Sequence, residues 1–491
     1  MVVLPVLITL LAAILCIFMF RSRSWQQKIT LASSGGHFAI SLTLLWVVQR
    51  KGIQVLQVGN WPAPFGITLA VDLMSALMLV ITGFIGFWIA VYSIGGIDEQ
   101  RASYGFYPLF NLLLTGVSGA FSTGDLFNLY VWFEVMLTAS FVLIALGGER
   151  AQLEGATKYV ILNLIASILF LTATGLLYAL TGTLNMADLA IRLAGISPKE
   201  LVTTLAILYL VAFGIKSAIF PFFFWLPASY HTPPVVVTAL FSGLLTKVGV
   251  YALIRVFTLI FVADIPFTHT LLLALGGFTM VTGVLGAAAQ WEIRRLLSFH
   301  IISQIGYLLM GLGLFTQNAI AGSIYFMVHV ILAKTILFLV AGAAERISGS
   351  YDLKQMGGLY RQEPALALLF ALPALSLAGL PPLSGFFAKL ILVKAGLESG
   401  SYPIVITALA VSFLTLFSMS KIWGEAFWKP APAQLKKRPK NPYIWIPILV
   451  LTLTVVVIGL WSEPLYRFSY QAAGQLLDSS IYIQAVMGKI P

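Results

Sequence analysis

Charged residues are scarce in this chain of 491 residues, because Asp, Glu, Lys and Arg together make up only 10% of it. Soluble domains ordinarily carry about 25% charged residues. The chain therefore has too little polar surface to cover itself in water. Hydrophobic residues make up 59% of it, which also excludes a disordered chain. The composition predicts an all-α polytopic membrane protein and excludes a soluble enzyme.

Cysteine and histidine are also rare, with one cysteine and five histidines in the whole chain. A lone Cys16 excludes a disulfide framework and a cysteine-ligated metal or cluster. The histidines are too scattered for a clear metal site, and no phosphate loop or nucleophile elbow is present. We therefore expect no cofactor and no metal. The net charge of +11 lies mostly between apolar runs, which favours orientation against lipid over binding of nucleic acid.

Long apolar runs dominate what is present, and a bilayer span needs about 20 apolar residues. Fourteen segments are predicted to be membrane-spanning helices: Val2–Phe20, Ile29–Val48, Thr68–Ile94, Phe106–Phe121, Leu126–Leu146, Tyr159–Leu180, Leu201–Leu226, Val235–Val262, Leu271–Ala289, Ser298–Leu314, Ala319–Ala344, Leu366–Leu397, Ile404–Phe427 and Tyr443–Trp461. The first lacks a basic region before it and is expected to be an uncleaved helix. Residues 462–491 are too polar to span and are expected to lie along the surface.

The distribution of basic residues predicts the orientation. Odd-numbered loops hold about 15 Lys and Arg, against about 7 in the even-numbered loops and tail. Odd-numbered loops are therefore predicted to be cytoplasmic, and both termini to face outward. The run Lys436-Lys437-Arg438 is predicted to be a solvated cytoplasmic anchor near anionic lipid.

Two of the predicted spans, the seventh and the twelfth, contain helix-breaking residues. In the seventh span, Pro221 and Pro227 stand on either side of residues 222–226. The twelfth span contains Gly379, Pro381 and Pro382. Proline removes a backbone donor and clashes with the preceding turn, so each helix should break there. At membrane depth, a broken backbone is tolerated only where it is buried in protein or lines a water-filled cavity. Their separation by five segments indicates two inverted repeats, each with an ion or substrate site.

Ionisable residues at membrane depth mark function, because each costs about 3 kcal/mol to insert. The candidates for a proton relay are Glu134, Lys216, Lys247, His329, Lys334 and Lys389. A lysine in a dry site releases its proton more readily than in water, and a nearby carboxylate opposes this. A pair of Glu134 and Lys216 can therefore act as a switch, with the other residues as stations bridged by water. Sodium prefers clustered oxygen ligands, yet Glu134 is the only deep carboxylate.

Other polar residues favour structural roles. Asp72 and Asp125 lie near the ends of predicted spans, so helix capping or placement at the membrane interface is expected in preference to ion binding. For Lys158, a side chain that reaches the membrane interface is as good an explanation as a functional role. His300 is expected to be structural or peripheral. For His231, next to Pro233 and Pro234, a place on an access path and a plain loop role are equally favoured.

Four stretches of sequence carry a family resemblance: GDLFNLYVWFE at 124–134, LPASYHTPP at 226–234, GLLTKVGVY at 243–251 and SLAGLPPLSGF at 376–386. Together they resemble the antiporter-like subunits shared by respiratory complex I, membrane hydrogenases and Mrp multisubunit cation/proton antiporters. VGNWPAPFGI at 58–67 is most similar to the D subunits of Mrp-type Na⁺/H⁺ antiporters. Lysine at 389 argues against the complex I subunit with glutamate there, and the lysine-bearing bacterial complex I subunit is the closest competitor.

The resemblance implies a role for each matching residue. Glu134 and Lys216 match the family's ion pair, Lys247 its central lysine and Lys389 its terminal lysine, while either His329 or Lys334 carries protons between them. It also implies two inverted five-helix repeats. We accordingly expect N-terminal helices at 1–105, a first repeat at 106–263, a second at 264–428, and a basic loop, last helix and tail at 429–491.

The sequence therefore predicts a proton-translocating subunit of a multisubunit Na⁺/H⁺ antiporter in a bacterial cell membrane, with other subunits, H⁺, lipid and, at the level of the complex, Na⁺ as partners. It is expected to be a secondary transporter subunit and not an enzyme. A proton-pumping subunit of a redox complex is the main alternative. A purely structural subunit, whose charges only pair helices, is a third.

Overall fold

The computed structural model describes residues 1–432 and 439–488. The predicted anchor at Lys436, Lys437 and Arg438 lies outside these described residues. The N-terminal part contains five helices or strands followed by a short helical turn: α1 (Leu4–Phe18), α2 (Arg23–Lys51), β1 (Gln54–Gln57), β2 (Thr68–Val71), α3 (Leu73–Gly96) and α4 (Glu99–Ser103). The strands β1 and β2 form an antiparallel hairpin. The third predicted span is thus wrong at its start, since 68–71 pairs as a strand and the helix begins at Leu73 behind its N-cap Asp72.

The next part of the chain is wholly helical: α5 (Phe106–Ser122), α6 (Leu126–Ala145), α7 (Arg150–Thr181), α8 (Met186–Ala194), α9 (Lys199–Ser217), α10 (Trp225–Ser229) and α11 (Val235–Leu259). The remainder follows the same pattern: α12 (Ile265–Ala289), α13 (Ile293–Leu314), α14 (Gln317–Ser348), α15 (Leu359–Gln362), α16 (Pro364–Ala378), α17 (Ser384–Glu398), α18 (Tyr402–Ile422), α19 (Pro442–Leu460), α20 (Glu463–Leu477) and α21 (Ser479–Met487).

All fourteen predicted spans are mainly helical, and eleven helices of the described residues are long and apolar enough to cross a membrane. The other three predicted spans are the shorter α1 and α5 and the interrupted pair α16 and α17. This is a multi-pass membrane protein. Its central helices α11 and α14 are buried throughout their most apolar windows, whereas α2, α7, α12, α18 and α19 leave much of theirs exposed. The outer helices expose apolar side chains, which can face lipid. Lipid cannot satisfy polar groups, so these are buried in the middle of the bundle.

Two long apolar segments are interrupted. Helix α9 ends at Ser217, where Ala218 has a left-handed φ of 59°, and a short 3₁₀ turn precedes α10. Helix α16 ends at Ala378, where Gly379 has a φ of 94°, and α17 begins at Ser384. Glycine adopts positive φ without steric cost, and proline cannot donate the next helical hydrogen bond. Both interruptions therefore leave backbone carbonyl groups free for side chains.

The C-terminal tail packs on the bundle through two helices. Helix α20 contacts α14 and α3, and α21 contacts α8 and β1. The backbone N–H of Leu73, at the start of α3, donates to Gln475 Oε1 at 2.9 Å. Phe468, Ala472 and Leu476 on α20 are buried. The tail therefore lies on helix ends at the surface of the bundle, with Glu463, Arg467 and Tyr470 exposed, as expected.

Candidate functional site

The six candidate residues lie on a continuous series of touching helices. Helix α6 packs on α7, α7 on α9, α9 on α11, α11 on α14 and α14 on α17. The candidates are distributed along this series: Glu134 on α6, Lys216 on α9, Lys247 on α11, His329 and Lys334 on α14, and Lys389 on α17. Residues far apart in sequence are thus arranged in one row across the bundle.

A serine bridges the first two candidates. Ser167 Oγ, on α7, donates to Glu134 Oε1, and Lys216 Nζ donates to Ser167 Oγ at 3.0 Å. The Lys216 ammonium also lies 4.8 Å from the centre of the Phe133 ring. The sequence predicted a direct pair of Glu134 and Lys216, but these two described residues form no direct ion pair. The connection runs through a hydroxyl group, which can accept one hydrogen bond while it donates another.

A small cavity adjoins Lys216. It has a volume of about 20 Å³, and its polar lining includes Lys216, Asn163 and Tyr230. The Tyr230 hydroxyl is buried and has no hydrogen-bond partner among the described residues. One water needs about 10–15 Å³ of this kind and two to four polar partners. The cavity therefore has the size and chemistry to hold one water beside the Lys216 ammonium.

Lys247 lies at the centre of the bundle, with none of its surface exposed. Its ammonium donates to the backbone carbonyl of Ser242 on the same helix. Helices α11 and α14 approach closely here, since a Cβ added to Gly243 would lie 2.7 Å from Thr335 Oγ1. This close approach brings α11, which carries Lys247, against α14, which carries the next two candidates.

His329 and Lys334 are both fully buried but have different partners. Lys334 Nζ lies 3.4 Å from the Leu297 carbonyl on α13. His329 Nδ1 is hydrogen-bonded to Ser384 Oγ, at the first residue of α17, over 2.9 Å. The two side chains therefore belong to consecutive parts of the row, with the lysine toward α13 and the histidine toward the α16–α17 interruption.

Lys389 is held at that interruption. Its ammonium donates to the free carbonyl of Ala378 at 3.2 Å and to Ser412 Oγ on α18 at 3.0 Å. It also lies 4.9 Å from the centre of the Tyr307 ring, whose hydroxyl is hydrogen-bonded to Ser412 Oγ over 2.8 Å. The gap between α16 and α17 thus supplies a carbonyl ligand that an intact helix would have used internally.

None of these four lysines forms an ion pair with a carboxylate of the described residues. Buried charges in proteins are ordinarily paired, because isolated ones are costly. Amines held only by carbonyl and hydroxyl oxygens can instead lose the charge by giving up a proton. This arrangement suits proton transfer better than simple helix pairing.

Unpartnered polar atoms surround the row. Within the described parts of the chain, the following buried atoms on α9, α11, α13 and α14 or in the α10–α11 turn have no hydrogen-bond partner: Ser217 Oγ, Tyr230 OH, Thr246 Oγ1, His300 Nδ1, Ser303 Oγ, both side-chain polar atoms of Gln304, His329 Nε2 and Thr335 Oγ1. Buried polar groups are nearly always satisfied by protein or by ordered water. This clustering indicates a hydrated axis through the middle of the bundle.

The residues expected to be structural are placed as follows. Asp72 and Asp125 accept from Ser75 N and Asn128 N and are helix N-caps, as predicted. Lys158 is exposed and paired with Glu154 on its own helix at 2.5 Å. His300 is fully buried, with Nε2 hydrogen-bonded to Ser418 Oγ over 2.9 Å, which agrees with the structural alternative and not with the peripheral one.

Cavities open at both ends of the bundle. One of about 380 Å³ is lined by charged groups that include Arg101, Glu149, Arg294 and Glu345, together with Pro233 and Pro234 of the α10–α11 turn. Neighbouring His231 is hydrogen-bonded through Nδ1 to the Pro227 carbonyl over 2.8 Å, and burial lowers the pKa of this imidazole. Another of about 280 Å³ lies beside Asn318, Lys394 and Glu463 near the tail.

No cluster of three or more metal-binding side chains occurs among the described residues.

Sequence reasoning missed the hydroxyl groups that connect the charged residues. These are Ser167, Tyr307, Ser384 and Ser412. Each lies in or beside a predicted apolar span, and a polar residue at such depth was the one available signal. It is a weak signal, because serine and tyrosine are common in membrane helices and readily bond to their own backbone.

Comparisons with known proteins agree on one family. The family model described as NADH:quinone oxidoreductase/Mrp antiporter, transmembrane, matches residues 123–415. The chain is 47% identical over 488 residues to the D subunit of the Na⁺/H⁺ antiporter of Alkalihalophilus pseudofirmus, covering 99% of each chain. It is 42% identical over 489 residues to the antiporter protein of the same name from Bacillus subtilis, again covering 99% of each. A chain in the solved Mrp complex of Dietzia sp. has a TM-score of 0.92 and 32% identity, with 99% of each chain covered.

Proposed function

This chain belongs to the family of NADH:quinone oxidoreductase and Mrp antiporter membrane subunits, and we propose that it is the proton-conducting D-type subunit of a multisubunit Na⁺/H⁺ antiporter. The observation that carries this proposal is the row of buried lysines without carboxylate partners among the described residues, arranged across contacting helices. Secondary transport, and not an enzymatic reaction, is the activity that such a row supports.

Glu134, Ser167 and Lys216 form the entrance of the proposed relay. While the hydroxyl of Ser167 connects the carboxylate to the ammonium, the pair holds the proton on Lys216. Separation of α6 or α7 from α9 removes the connection, and the unpaired amine then releases its proton toward Lys247. The water-sized cavity between Lys216 and Tyr230 gives that proton a first step.

The relay continues through water and side chains of both halves of the chain. Lys247 transfers to Lys334, His329 follows, and Lys389 is the last station at the α16–α17 interruption. The unpartnered hydroxyl, amide and imidazole atoms along this row are the groups that bridging water would satisfy. Proton transfer over several ångströms needs such water, so the hydrated axis is part of the proposal.

We further assign the two interruptions to corresponding positions of two inverted five-helix repeats, at 106–263 and 264–428. In support, each interruption lies next to a buried lysine, Lys216 at the first and Lys389 at the second. Broken helices in corresponding positions of inverted repeats commonly surround transported ions.

Sodium is expected to be handled mainly by partner subunits, because this chain offers only one half-buried carboxylate, Glu134, along the described row. Proton uptake down its gradient would drive Na⁺ extrusion by the whole complex. The relatives are bacterial, which favours a bacterial cell membrane, and the excess of basic residues in the odd-numbered loops favours termini on the outer side.

The test uses inside-out vesicles that contain the whole complex. A pH gradient is imposed with electron transfer blocked, Na⁺ is added, and the collapse of the gradient is recorded. We expect collapse in wild type and its loss in Lys216→Ala at equal abundance of the complex. The matched control is Lys158→Ala, an exposed lysine paired only with Glu154, which should behave as wild type.

Two outcomes would contradict the proposal. Collapse that persists in Lys216→Ala would make this lysine structural. Absence of any response to Na⁺ in wild type, with proton movement only after an electron donor is added, would instead favour the redox-pump alternative.

A further inference from the structure

A buried ion pair lies at the end of α11 that faces the C-terminal tail. Arg255 Nη2 is 2.6 Å from Asp72 Oδ2, and the two side chains are only 4% and 2% exposed. Asp72 is also the N-cap of α3 and accepts from Ser75 N at 2.8 Å. The pair therefore joins the N-terminal helices to α11, which also carries Lys247.

Hydroxyl groups and aromatic rings complete this cluster. Arg255 Nη2 donates to Ser75 Oγ and to Tyr251 OH, each at 3.2 Å, and the Tyr251 hydroxyl donates to the Phe121 carbonyl at 3.1 Å. The guanidinium lies 5.4 Å from the centre of the Tyr251 ring and 5.3 Å from that of Tyr482. Tyr482 belongs to α21, so the docked tail covers the ion pair.

The cluster stands between Lys247 and the tail side of the bundle. Lys247, Tyr251 and Arg255 follow one another at intervals of four residues on α11, which separates the Cα atoms of Lys247 and Arg255 by about 12 Å along the helix. No side chain of the cluster is among the buried polar atoms that lack a partner in the described parts of the chain. Toward the middle of the bundle, by contrast, such atoms are frequent.

These two properties oppose proton passage. The ion pair and the rings of Tyr251 and Tyr482 are all buried and fill the space that a chain of water would need. Both carboxylate oxygens of Asp72 already accept, Oδ2 from Arg255 and Oδ1 from Ser75 N, so the ion pair offers a passing proton no free carboxylate. A closely packed, charge-paired cluster in line with Lys247 is therefore a barrier.

We propose that Arg255, held by Asp72 and covered by Tyr482, seals the tail-side end of the first half of the bundle against protons. A proton on Lys247 must then continue toward Lys334 instead of escaping along α11. The inference rests on the proposed proton-conducting function, and it makes Arg255 a positioning residue that prevents uncoupled leak.

The test measures leak separately from exchange. Vesicles with the whole complex receive a pH gradient, and its decay is followed without Na⁺. The double variant Asp72→Asn/Arg255→Gln removes both charges while keeping hydrogen-bonding groups, and it should accelerate the Na⁺-independent decay severalfold. Arg255→Lys keeps the positive charge and should stay as tight as wild type. Unchanged decay in an assembled double variant would overturn the proposal.

A second variant decides the question if the double variant does not assemble. Tyr482→Ala removes only the covering ring from α21 and should also leak severalfold faster. Its matched control is Ile481→Ala, a more exposed neighbour on the same helix, which should not. Tight vesicles with Tyr482→Ala would then refute the seal. Failure of wild type to respond to Na⁺ would instead refute the proposed function, so the two failures are distinguishable.

Discussion

At the scale of single residues, hydroxyl groups decide how the buried charges interact. Ser167 stands between Glu134 and Lys216, while Ser412 accepts from Lys389 and Ser384 is hydrogen-bonded to His329. A hydroxyl holds a charge in place without neutralising it, whereas a carboxylate in direct contact would stabilise the ammonium strongly. Serine is therefore suited to a site that must release a proton repeatedly.

Replacement of the bridging serine tests this reasoning. We expect Ser167→Ala to slow the Na⁺-driven collapse of the pH gradient roughly tenfold, because positioned proton-transfer groups commonly contribute at least that much. The measurement is the initial rate in inside-out vesicles at matched abundance of the complex.

Thr174→Ala is the matched control, since Thr174 Oγ1 also joins two helices of the row, α7 and α9, through Tyr209 OH at 2.9 Å, but lies about two turns along α7 from Ser167. Equal rates for the two variants would show that Ser167 contributes only to helix packing.

Asp125 offers a test by pH, since it caps α6 outside the spanning helix. Burial raises the pKa of its carboxyl to about 6, while hydrogen bonds from backbone N–H groups oppose the rise. Because the folded state favours the protonated acid, this contribution to stability is complete below pH ~4 and is lost as the pH rises through about 6. Asp125→Asn keeps the cap and removes the titration.

We therefore expect Asp125→Asn to be more stable than wild type at pH 7, by up to about 3 kcal/mol, and to match it near pH 4. Thermal unfolding of the detergent-purified complex at the two pH values provides the measurement. A difference in melting temperature that is the same at both pH values would contradict the assignment.

At the scale of helices, the second interruption is built from residues that do not continue a helix. At the second interruption, Gly379 takes a φ of 94°, and a Cβ there would lie 3.0 Å from Lys389 Cδ. The same glycine thus allows the turn and leaves room for the lysine that reaches the Ala378 carbonyl. Local backbone geometry and the position of the ammonium are coupled.

Gly379→Ala should therefore lose both stability and exchange. The left-handed conformation costs a residue with a Cβ about 1–2 kcal/mol, and Lys389 must move as well. Gly400→Ala is the matched control, because Gly400 has a φ of 68° with no atom within 4 Å of an added Cβ. The control should lose stability but keep exchange in the vesicle assay, and equal exchange by both variants would contradict the coupling.

At the scale of the whole molecule, the bundle separates a polar row from lipid. Helices α11 and α14 are buried on all sides, while the outer helices expose apolar residues. Close contacts between small residues help, since a Cβ on Gly276 of α12 would lie 3.1 Å from the Gly306 carbonyl of α13. Small residues let membrane helices approach and gain packing energy without a hydrophobic driving force.

The orientation of this bundle can be measured because Cys16 is the one cysteine and is buried. In a Cys16→Ala background, we expect Ser480→Cys, on the exposed side of α21, to react with a membrane-impermeant maleimide added to intact cells. Arg361→Cys, on exposed α15 at the opposite side, should react only in inside-out vesicles. The reverse pattern would invert the proposed topology.

The sequence alone determined the class of the protein and most of its helices. A span of about 20 apolar residues has few alternatives in a bilayer, because every backbone polar group must be satisfied within the segment. Prolines and glycines marked both interruptions for the same local reason. Depth in an apolar run likewise singled out Glu134 and the buried lysines, since a charge there is costly wherever the helix packs.

Only the tertiary structure decided what each charge touches. Ser167 against Lys216, Asp72 against Arg255 and His300 against Ser418 are contacts between residues 49 to 183 positions apart, and no local pattern specifies them. The same holds for 68–71, where an apolar stretch that could extend a helix pairs with 54–57 as a hairpin. Helix formation follows from local hydropathy and backbone hydrogen bonds, whereas these contacts depend on how the helices pack together.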